Sequence, residues 1–245
     1  MGVLFTVAYD GTDYCGWQVQ KNGISVCSAL EDALRPVFSE GFSMLGASRT
    51  DAGVHALGQR VHLMPKSLCK VPLEKLPQVI NGNLPKDIRI VDAVNVIDSF
   101  HPINDAKSKT YRYQIYNHKY ENPLMCRYAA FVPVCLDSTV MNNAGMHFVG
   151  RHDFAAFCAA GSSVKSTVRT VFSVEVGRNE NTIDITINGD GFLYNMVRII
   201  AGTLVDIGSG KISIKDLPFI ISSKDRTKAG KTMPPQGLTL IKIFY

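Results

Sequence analysis

The chain has 245 residues, 26 basic and 21 acidic side chains, a net charge of +5 and a hydrophobic fraction of 46%. This length and apolar content suit one large domain or two small ones, and no run of about 18 apolar residues predicts a membrane span. The N-terminus lacks the features of a signal peptide, and the six cysteines have neither zinc-ligand nor disulfide-framework spacing. We therefore expect a cytoplasmic protein with reduced thiols, no structural metal and no association with membranes.

Hydrophobic periodicity predicts alternating strands and helices in the first part of the chain. The predicted elements are, in order, a strand over 3–9, a helix over 25–38, a strand over 59–65, a short helix over 73–80 and a strand over 87–97. Ser25 is the expected N-cap of the first helix, because its hydroxyl can accept a backbone N–H of the first turn.

A second series of elements begins at about residue 107. These are a strand over 110–117, a helix from its cap Asp137 to about Val149, a hairpin over 170–189, a helix over 192–208, a helix over 213–223 that Pro218 interrupts, and a strand over 238–245. The order predicts an α+β fold with two halves, 1–106 and 107–245, and the hairpins favour antiparallel sheets. No low-complexity linker separates the halves, so we expect them to share an interface or a sheet.

The stretch GASRTDAGVHALGQ, residues 46–59, places Asp51 in a small and apolar setting. Asp-Ala-Gly is a turn sequence in which Gly53 permits a positive φ, so one interpretation is an aspartate that only stabilises a turn. The other interpretation is a functional carboxylate, whose charge needs a compensating partner in such surroundings.

Arg198 is the candidate for that partner. It lies in the apolar stretch NMVRIIAG, where a buried guanidinium requires an anion, and the small residues Ala201 and Gly202 allow another segment to approach. Tyr111 begins an aromatic strand, and its ring either stacks on a planar base or belongs to the core.

Segments spread over nearly the whole chain resemble motifs of the TruA family of tRNA pseudouridine synthases, and they occur in the family's order. The segments are YDGTDYCGWQVQ, GASRTDAGVHALGQ, NLPKDI, KTYRYQIYN, GRHDFAAFCAAGSSVKSTVRTV, DGFLYNMVRIIAGTL and GLTL. One short motif would be a weak signal, but several in order make an accidental similarity a poor explanation.

The resemblance implies a pseudouridine synthase fold, in which two ferredoxin-like α/β-sandwich halves share a mainly antiparallel central sheet and bind RNA in a cleft. It implies an isomerase that converts uridine to pseudouridine at positions 38, 39 and 40 of the tRNA anticodon stem-loop. The expected partners are tRNA and a second copy of the chain in a homodimer. No cofactor, metal or protein cofactor is expected.

The resemblance also implies roles for individual residues. Asp51, on the catalytic loop, is the implied nucleophile, and Arg198 is the arginine paired with it. Arg49 would help to extrude the target nucleotide, Tyr111 is the active-site tyrosine, and Leu238 lines the uracil pocket.

Lys109, Lys165 and Arg169 are candidate phosphate contacts, because the second half of the chain has the larger basic excess. The polar loop SSVKS, 162–166, is either solvated or a further phosphate contact. The stretch FHPINDA departs from the family pattern, since Ile103 stands where many members have an arginine near the RNA. This departure puts part of the RNA contacts, and the preference among the three uridine positions, in question.

The residues themselves leave two alternatives to a synthase open. One is a small-molecule hydrolase with Asp51 as its nucleophile, and the other is a tRNA-binding protein without activity. They also leave open whether the carboxylate attacks C1′ of the ribose, adds to C6 of the base or removes a sugar proton.

Overall fold

A computed structural model of the chain describes residues 2–21, 23–67, 69–161 and 164–245. In these residues it contains ten strands and five α-helices. The strands are β1 Gly2–Tyr9, β2 Phe42–Gly46, β3 His55–Pro65, β4 Ile88–Val96, β5 Ser108–Asn117, β6 Ala130–Val132, β7 Gly150–Asp153, β8 Val168–Asn179, β9 Thr182–Gly189 and β10 Leu238–Phe244. The helices are α1 Val26–Leu34, α2 Leu76–Asn81, α3 Ser138–Gly145, α4 Met196–Gly208 and α5 Leu217–Ser223.

The chain divides into two units. The first comprises Met1–Lys107 and Leu240–Tyr245, and the second comprises Ser108–Thr239. Strand β10 therefore begins in the second unit and ends in the first, where it lies beside β3.

The first unit is built on an antiparallel sheet in the order β4, β1, β3, β2. β1 is central, with Phe5 opposite Val61 of β3 and Ala93 of β4. The apolar alternation of β1 and β3 buries Phe5 and Val61 completely, and Leu30 and Leu34 of α1 are buried as fully. β2 leads into the 46–59 stretch, and β3 continues from it.

Helix α1 begins as predicted but ends early. Ser25 caps it through a reciprocal pair, since Ser25 Oγ accepts from Ser28 N at 3.0 Å and Ser28 Oγ accepts from Ser25 N at 3.1 Å. The prediction that this helix runs to residue 38 is wrong. It ends at Leu34, because Pro36 has no N–H with which to continue the helical hydrogen bonds.

The second unit contains the antiparallel order β5, β9, β8, β7, with β6 parallel to β5. Tyr113 of β5 lies opposite Ile185 of β9, and both are fully buried. The predicted hairpin is confirmed, with β8 and β9 joined at Glu180 and Asn181. An α+β class with mainly antiparallel pairing is therefore confirmed.

Helix α4 begins later than predicted. The prediction of a helix from residue 192 is wrong, because Asn195 takes a left-handed conformation with φ 60° and the helix starts at Met196. Pro218 stands in the first turn of α5, where its missing N–H is tolerated, so it marks a helix start. No helix in the described parts of the chain is long and apolar enough to cross a membrane.

The backbone at Gly230 and Lys231 packs directly on α4. Gly230 N–H donates to Thr203 Oγ1 at 2.9 Å, and a Cβ at Gly202 would overlap the carbonyl oxygen of Lys231. The prediction that small residues in this helix let another segment approach is confirmed. The approach leaves no room for a side chain at Gly202.

This close approach predicts that Gly202→Ala destabilises the protein by roughly 1–3 kcal/mol, because the added methyl must push two backbones apart. Gly177→Ala is the matched control in the same unit, since no atom lies within 4 Å of a Cβ built there. Urea unfolding of both variants measures the difference. Equal stability of the two variants would contradict the packing described for α4.

Candidate active site

Asp51 lies on the loop that joins β2 to β3. Val54 N–H donates to the Asp51 carbonyl oxygen at 3.2 Å and Gly53 has φ 76°, so the predicted turn is confirmed. The Asp51 side chain is half-buried, whereas Arg49 on the same loop is exposed. The loop thus presents one carboxylate at a turn and one cation in contact with solvent.

Thr50 anchors this loop to the N-terminal segment. Its hydroxyl lies 2.7 Å from the Tyr9 hydroxyl, and its carbonyl oxygen accepts from Trp17 N–H at 3.0 Å. Gly16 has φ 108°, and a Cβ there would lie 2.8 Å from the same carbonyl oxygen. Residues of the YDGTDYCGWQVQ motif therefore fix the backbone of the loop, a role that the sequence analysis did not predict.

His55 and Gly11 hold the far end of the loop. His55 is buried, and its Nδ1 accepts from Gly11 N–H at 3.0 Å and lies 3.1 Å from Asp10 Oδ1. A side chain at Gly11 would overlap the carbonyl oxygen of Val54. Sequence reasoning missed these residues too, because no local pattern marks contacts between residues 44 positions apart.

Tyr111 lies on β5 opposite Ile187 and is only 6% exposed. Phe192, from the segment before α4, packs edge-on against its ring, with the centroids 5.2 Å apart and the planes at 85°. This contact fixes the plane of the Tyr111 ring, as a stacking surface for a base requires. The same burial is also typical of a tyrosine of the core.

The guanidinium of Arg198 is held in the first turn of α4 by two oxygens. Nε donates to the Met233 carbonyl oxygen at 2.7 Å, and Nη1 donates to Asn195 Oδ1 at 2.6 Å. Both acceptors are neutral, so these bonds orient the cation without cancelling its charge. Asn195 lies directly before the helix and has a left-handed backbone conformation.

Tyr113 links the strand of Tyr111 to the segment that carries Leu238. Its hydroxyl donates to the Pro234 carbonyl oxygen at 2.7 Å. Burial raises the pKa of Tyr113 above its ordinary value, which the positive charge of Arg198 partly offsets, so the phenol stays neutral. Gly237 packs on the Tyr113 ring, and Leu238 follows at the start of β10, almost fully buried.

The three candidate phosphate contacts lie in the second unit. Lys109 lies opposite Gly189, and burial lowers the pKa of its ammonium group to about 8. A Cβ at Gly191 would lie 3.5 Å from Arg169 Nε, so Lys109 and Arg169 flank the same turn. Lys165 is exposed in the SSVKS loop, the first two serines of which, 162 and 163, lie outside the described residues.

Ile103 is an exposed residue in a turn of the first unit that His101 organises. His101 Nδ1 accepts the N–H groups of Ile103 at 3.3 Å and Asn104 at 3.2 Å, and Asp105 Oδ2 accepts from His101 N–H at 2.8 Å. These contacts use the backbone of residue 103. At this position the chain therefore presents an apolar side chain to solvent on a turn whose backbone is held by His101.

The candidate residues fall into two groups. Arg49 and Asp51 share one loop of the first unit, and the second unit contains Tyr111, Arg198, Leu238, Lys109, Lys165 and Arg169. The pairing of Asp51 with Arg198 stays a prediction. Across the described residues, no group of three or more His, Cys, Asp or Glu is placed to hold a metal ion, and the six cysteines are free.

Comparisons with known proteins match this chain to one family. The family model described as tRNA pseudouridine synthase matches residues 6–103 and 144–245. Proteins named tRNA pseudouridine synthase A are 46% identical in Caldicellulosiruptor saccharolyticus and 49% identical in Thermoanaerobacter sp. strain X514, each over 99% of both chains. The chain belongs to the tRNA pseudouridine synthase family. The resemblance predicted from the motifs is therefore confirmed, and with it the class of enzyme, an isomerase.

The family model covers four of the principal candidate residues. Arg49, Asp51, Arg198 and Leu238 lie within its two matched segments, whereas Tyr111 lies in the stretch between them. Among solved structures, a chain of the Cbf5-Nop10-Gar1 complex is similar over 98% of this chain and about half of its own length. That likeness has 12% identity and a TM-score of 0.40, and the assignment to the family does not depend on it.

The lowered pKa of Lys109 predicts a specific pH dependence of stability. The folded chain loses this proton at about pH 8, and the unfolded chain loses it near the ordinary value of 10.5. Between these values the unfolded chain binds more protons, so stability contributed by this site rises with pH. Lys109→Met should be stabilising relative to the parent below pH 8 and should lose that advantage towards pH 10.5.

Urea unfolding across this pH window measures the effect, with Lys215→Met as the control because Lys215 is exposed in the same unit. The control removes a lysine charge of the same sign that is exposed to solvent. A stability difference from the parent that is the same for both variants at every pH would contradict the lowered pKa of the half-buried Lys109.

Proposed function

We propose that this protein isomerises uridine to pseudouridine at positions 38, 39 and 40 of the tRNA anticodon stem-loop, with Asp51 as the reacting carboxylate. The observation that carries the proposal is the loop of Asp51. In a chain of this family, a half-buried carboxylate sits at a turn whose backbone is fixed on both sides, at Thr50 and at Val54. A turn-stabilising aspartate alone would not need this much support.

The reaction requires no reagent beyond the substrate. The N1–C1′ bond breaks, the uracil rotates in its pocket, a C5–C1′ bond forms, the C5 hydrogen leaves to solvent and N1 takes up a proton. Whether Asp51 attacks C1′, adds to C6 or removes a sugar proton, it must be ionised. Because no redox or phosphoryl step occurs, the proposal includes no cofactor.

Arg198 is the proposed counter-ion of Asp51. Its guanidinium is pre-oriented by Met233 and Asn195, which lowers the entropy lost when it engages a carboxylate. A charge-assisted pair with Arg198 would keep the half-buried Asp51 ionised where desolvation would otherwise raise its pKa.

The remaining roles follow the chemistry of base flipping. Arg49 is exposed on the loop of Asp51 and is the proposed residue that extrudes the target nucleotide, a step that costs roughly a few kcal/mol. Tyr111, with its ring held by Phe192, and Leu238 are the proposed walls of the uracil pocket. An apolar pocket would keep the detached base from exchanging with water.

The proposed partners are tRNA and a second copy of the chain, in the cytoplasm. Lys109 and Arg169 flank one turn of the second unit, and we assign them with Lys165 to the phosphate backbone. Ile103 supplies no cation at its exposed position, so the preference among positions 38, 39 and 40 would depend on the remaining basic residues.

The two alternatives make different demands on the chain. A small-molecule hydrolase needs no exposed arginine beside its nucleophile, and an inactive tRNA-binding protein needs no oriented carboxylate. Release of tritium from C5-tritiated uridine in tRNA separates all three possibilities, because neither alternative breaks the C5–H bond.

Asp51→Asn should fold and bind tRNA as the parent does but release no tritium, because it preserves the shape and removes the charge. Asp32→Asn is the control, since Asp32 is exposed on α1, where it pairs with Arg35 at 3.4 Å. This control should release tritium at the parental rate. Normal release by Asp51→Asn would remove Asp51 from the mechanism.

A double-mutant cycle on the free energy of unfolding tests the proposed pair. Asp51→Asn and Arg198→Met should show an interaction energy of roughly 0.5–3 kcal/mol if the two side chains are in contact, whereas independent sites add. Arg198→Lys keeps the charge but loses the planar fork, so its turnover should fall between those of the parent and of Arg198→Met. Strict additivity in the cycle would mean that Asp51 and Arg198 are not a pair.

A further inference from the structure

A buried glutamine side chain holds the start of the catalytic loop. The regular pairing of β2 with β3 ends at Gly46 opposite Val61, and Ala47 N–H still donates to the Arg60 carbonyl oxygen at 2.8 Å. Beyond this point the loop turns away from β3. Gln59 is completely buried at the place where the two part.

The Gln59 side-chain amide hydrogen-bonds the loop backbone just beyond the last paired residues of β2 and β3. Its Oε1 accepts from Ser48 N–H at 3.1 Å, and its Nε2 donates to the Ser48 carbonyl oxygen at 2.6 Å. Oε1 also accepts from Arg60 N–H at 3.2 Å, which fixes the orientation of the amide group. The side chain thus offers Ser48 the donor and the acceptor that a neighbouring strand would offer.

This contact fixes the loop three residues before Asp51. Thr50 is anchored separately by Tyr9 and Trp17, so the backbone has two supports within the approach to the carboxylate. With both in place, the position of the Asp51 backbone is set before any substrate binds. Loss of the Ser48 support frees the loop to shift while Thr50 keeps it near its place.

We infer that Gln59 is a positioning residue for the isomerisation, acting on Asp51 through the backbone of Ser48. The inference rests on the proposed role of Asp51. The neutral amide of Gln59 supplies both hydrogen-bonding partners, whereas an ionised carboxylate cannot donate to the Ser48 carbonyl oxygen and a thioether is only a weak acceptor. A shift of about 1 Å in a reacting group can cost about 100-fold in rate.

The first test compares Gln59→Met with a matched control, Asn81→Leu. Asn81 makes the same kind of contact elsewhere in the first unit, since its Oδ1 accepts from Ile90 N–H at 2.8 Å and its Nδ2 donates to the Ile90 carbonyl oxygen at 2.9 Å. Each variant removes one amide that pairs with both backbone groups of one residue. Steady-state rates are referred to the folded fraction, measured by circular dichroism.

Gln59→Met should lower kcat by about 10- to 100-fold and leave KM for tRNA within about twofold of the parent. Asn81→Leu should lose a comparable amount of stability and keep the parental kcat. An unchanged kcat in Gln59→Met, or an equal fall in both variants, would overturn the inference.

Gln59→Glu supplies a second measurement, the pH dependence of kcat per folded molecule, which a purely structural role would not change. It also replaces Gln59→Met as the test if that variant does not fold. When protonated, the carboxyl group can donate to the Ser48 carbonyl oxygen, and burial at this position would raise its pKa. The kcat of Gln59→Glu relative to the parent should therefore rise as the pH falls, per folded molecule. A relative kcat that does not change with pH would count against the inference.

Asp51→Asn, assayed in parallel, separates the two possible failures. Turnover by Asp51→Asn defeats the proposed function itself. An inactive Asp51→Asn beside a fully active Gln59→Met defeats only the positioning role of Gln59.

Discussion

The hydrogen bonds at Thr50 fix the loop between β2 and β3, and the proposed chemistry depends on that loop. The threonine hydroxyl meets Tyr9 at the end of β1, and its carbonyl oxygen accepts from Trp17, whose segment leads into α1. The central strand of the first unit and the segment that precedes its first helix therefore both hydrogen-bond to Thr50, the residue next to Asp51. A fixed loop favours the reaction because the entropy of ordering the carboxylate is lost during folding and not during the reaction.

The regular elements could be predicted from the sequence where a single period ran long enough. The alternation of β5 and β9 and the cap of α1 at Ser25 are local patterns, and the structure confirms them. The limits of α1 and α4 were missed because each depends on one backbone feature, Pro36 just after α1 and the left-handed Asn195 just before α4. Strands β2, β6 and β7 are too short to show a period, since they have five, three and four residues.

The candidate residues Asp51 and Arg198 could be singled out from the sequence, but the contacts that support them could not. Asp51 and Arg198 stand out because a charge in an apolar stretch needs a reason. The contacts that orient them join residues far apart in the chain, as when Arg198 Nε donates to the carbonyl oxygen of Met233, 35 positions away. Small residues beside Arg198 predicted that some segment approaches α4. Only the folded chain identifies that segment, through the contact of Gly202 with the backbone near Gly230.

The proposed activity is the conversion of uridine to pseudouridine in the anticodon stem-loop of tRNA. The most direct measurement is to incubate purified protein with unmodified tRNA transcript and to map pseudouridine along the product by chemical labelling and sequencing. Pseudouridine is expected at one or more of positions 38, 39 and 40 and nowhere else in the transcript, with the mass of the RNA unchanged. Uridine left intact at all three positions, or pseudouridine confined to another region of the tRNA, would rule out the proposed activity.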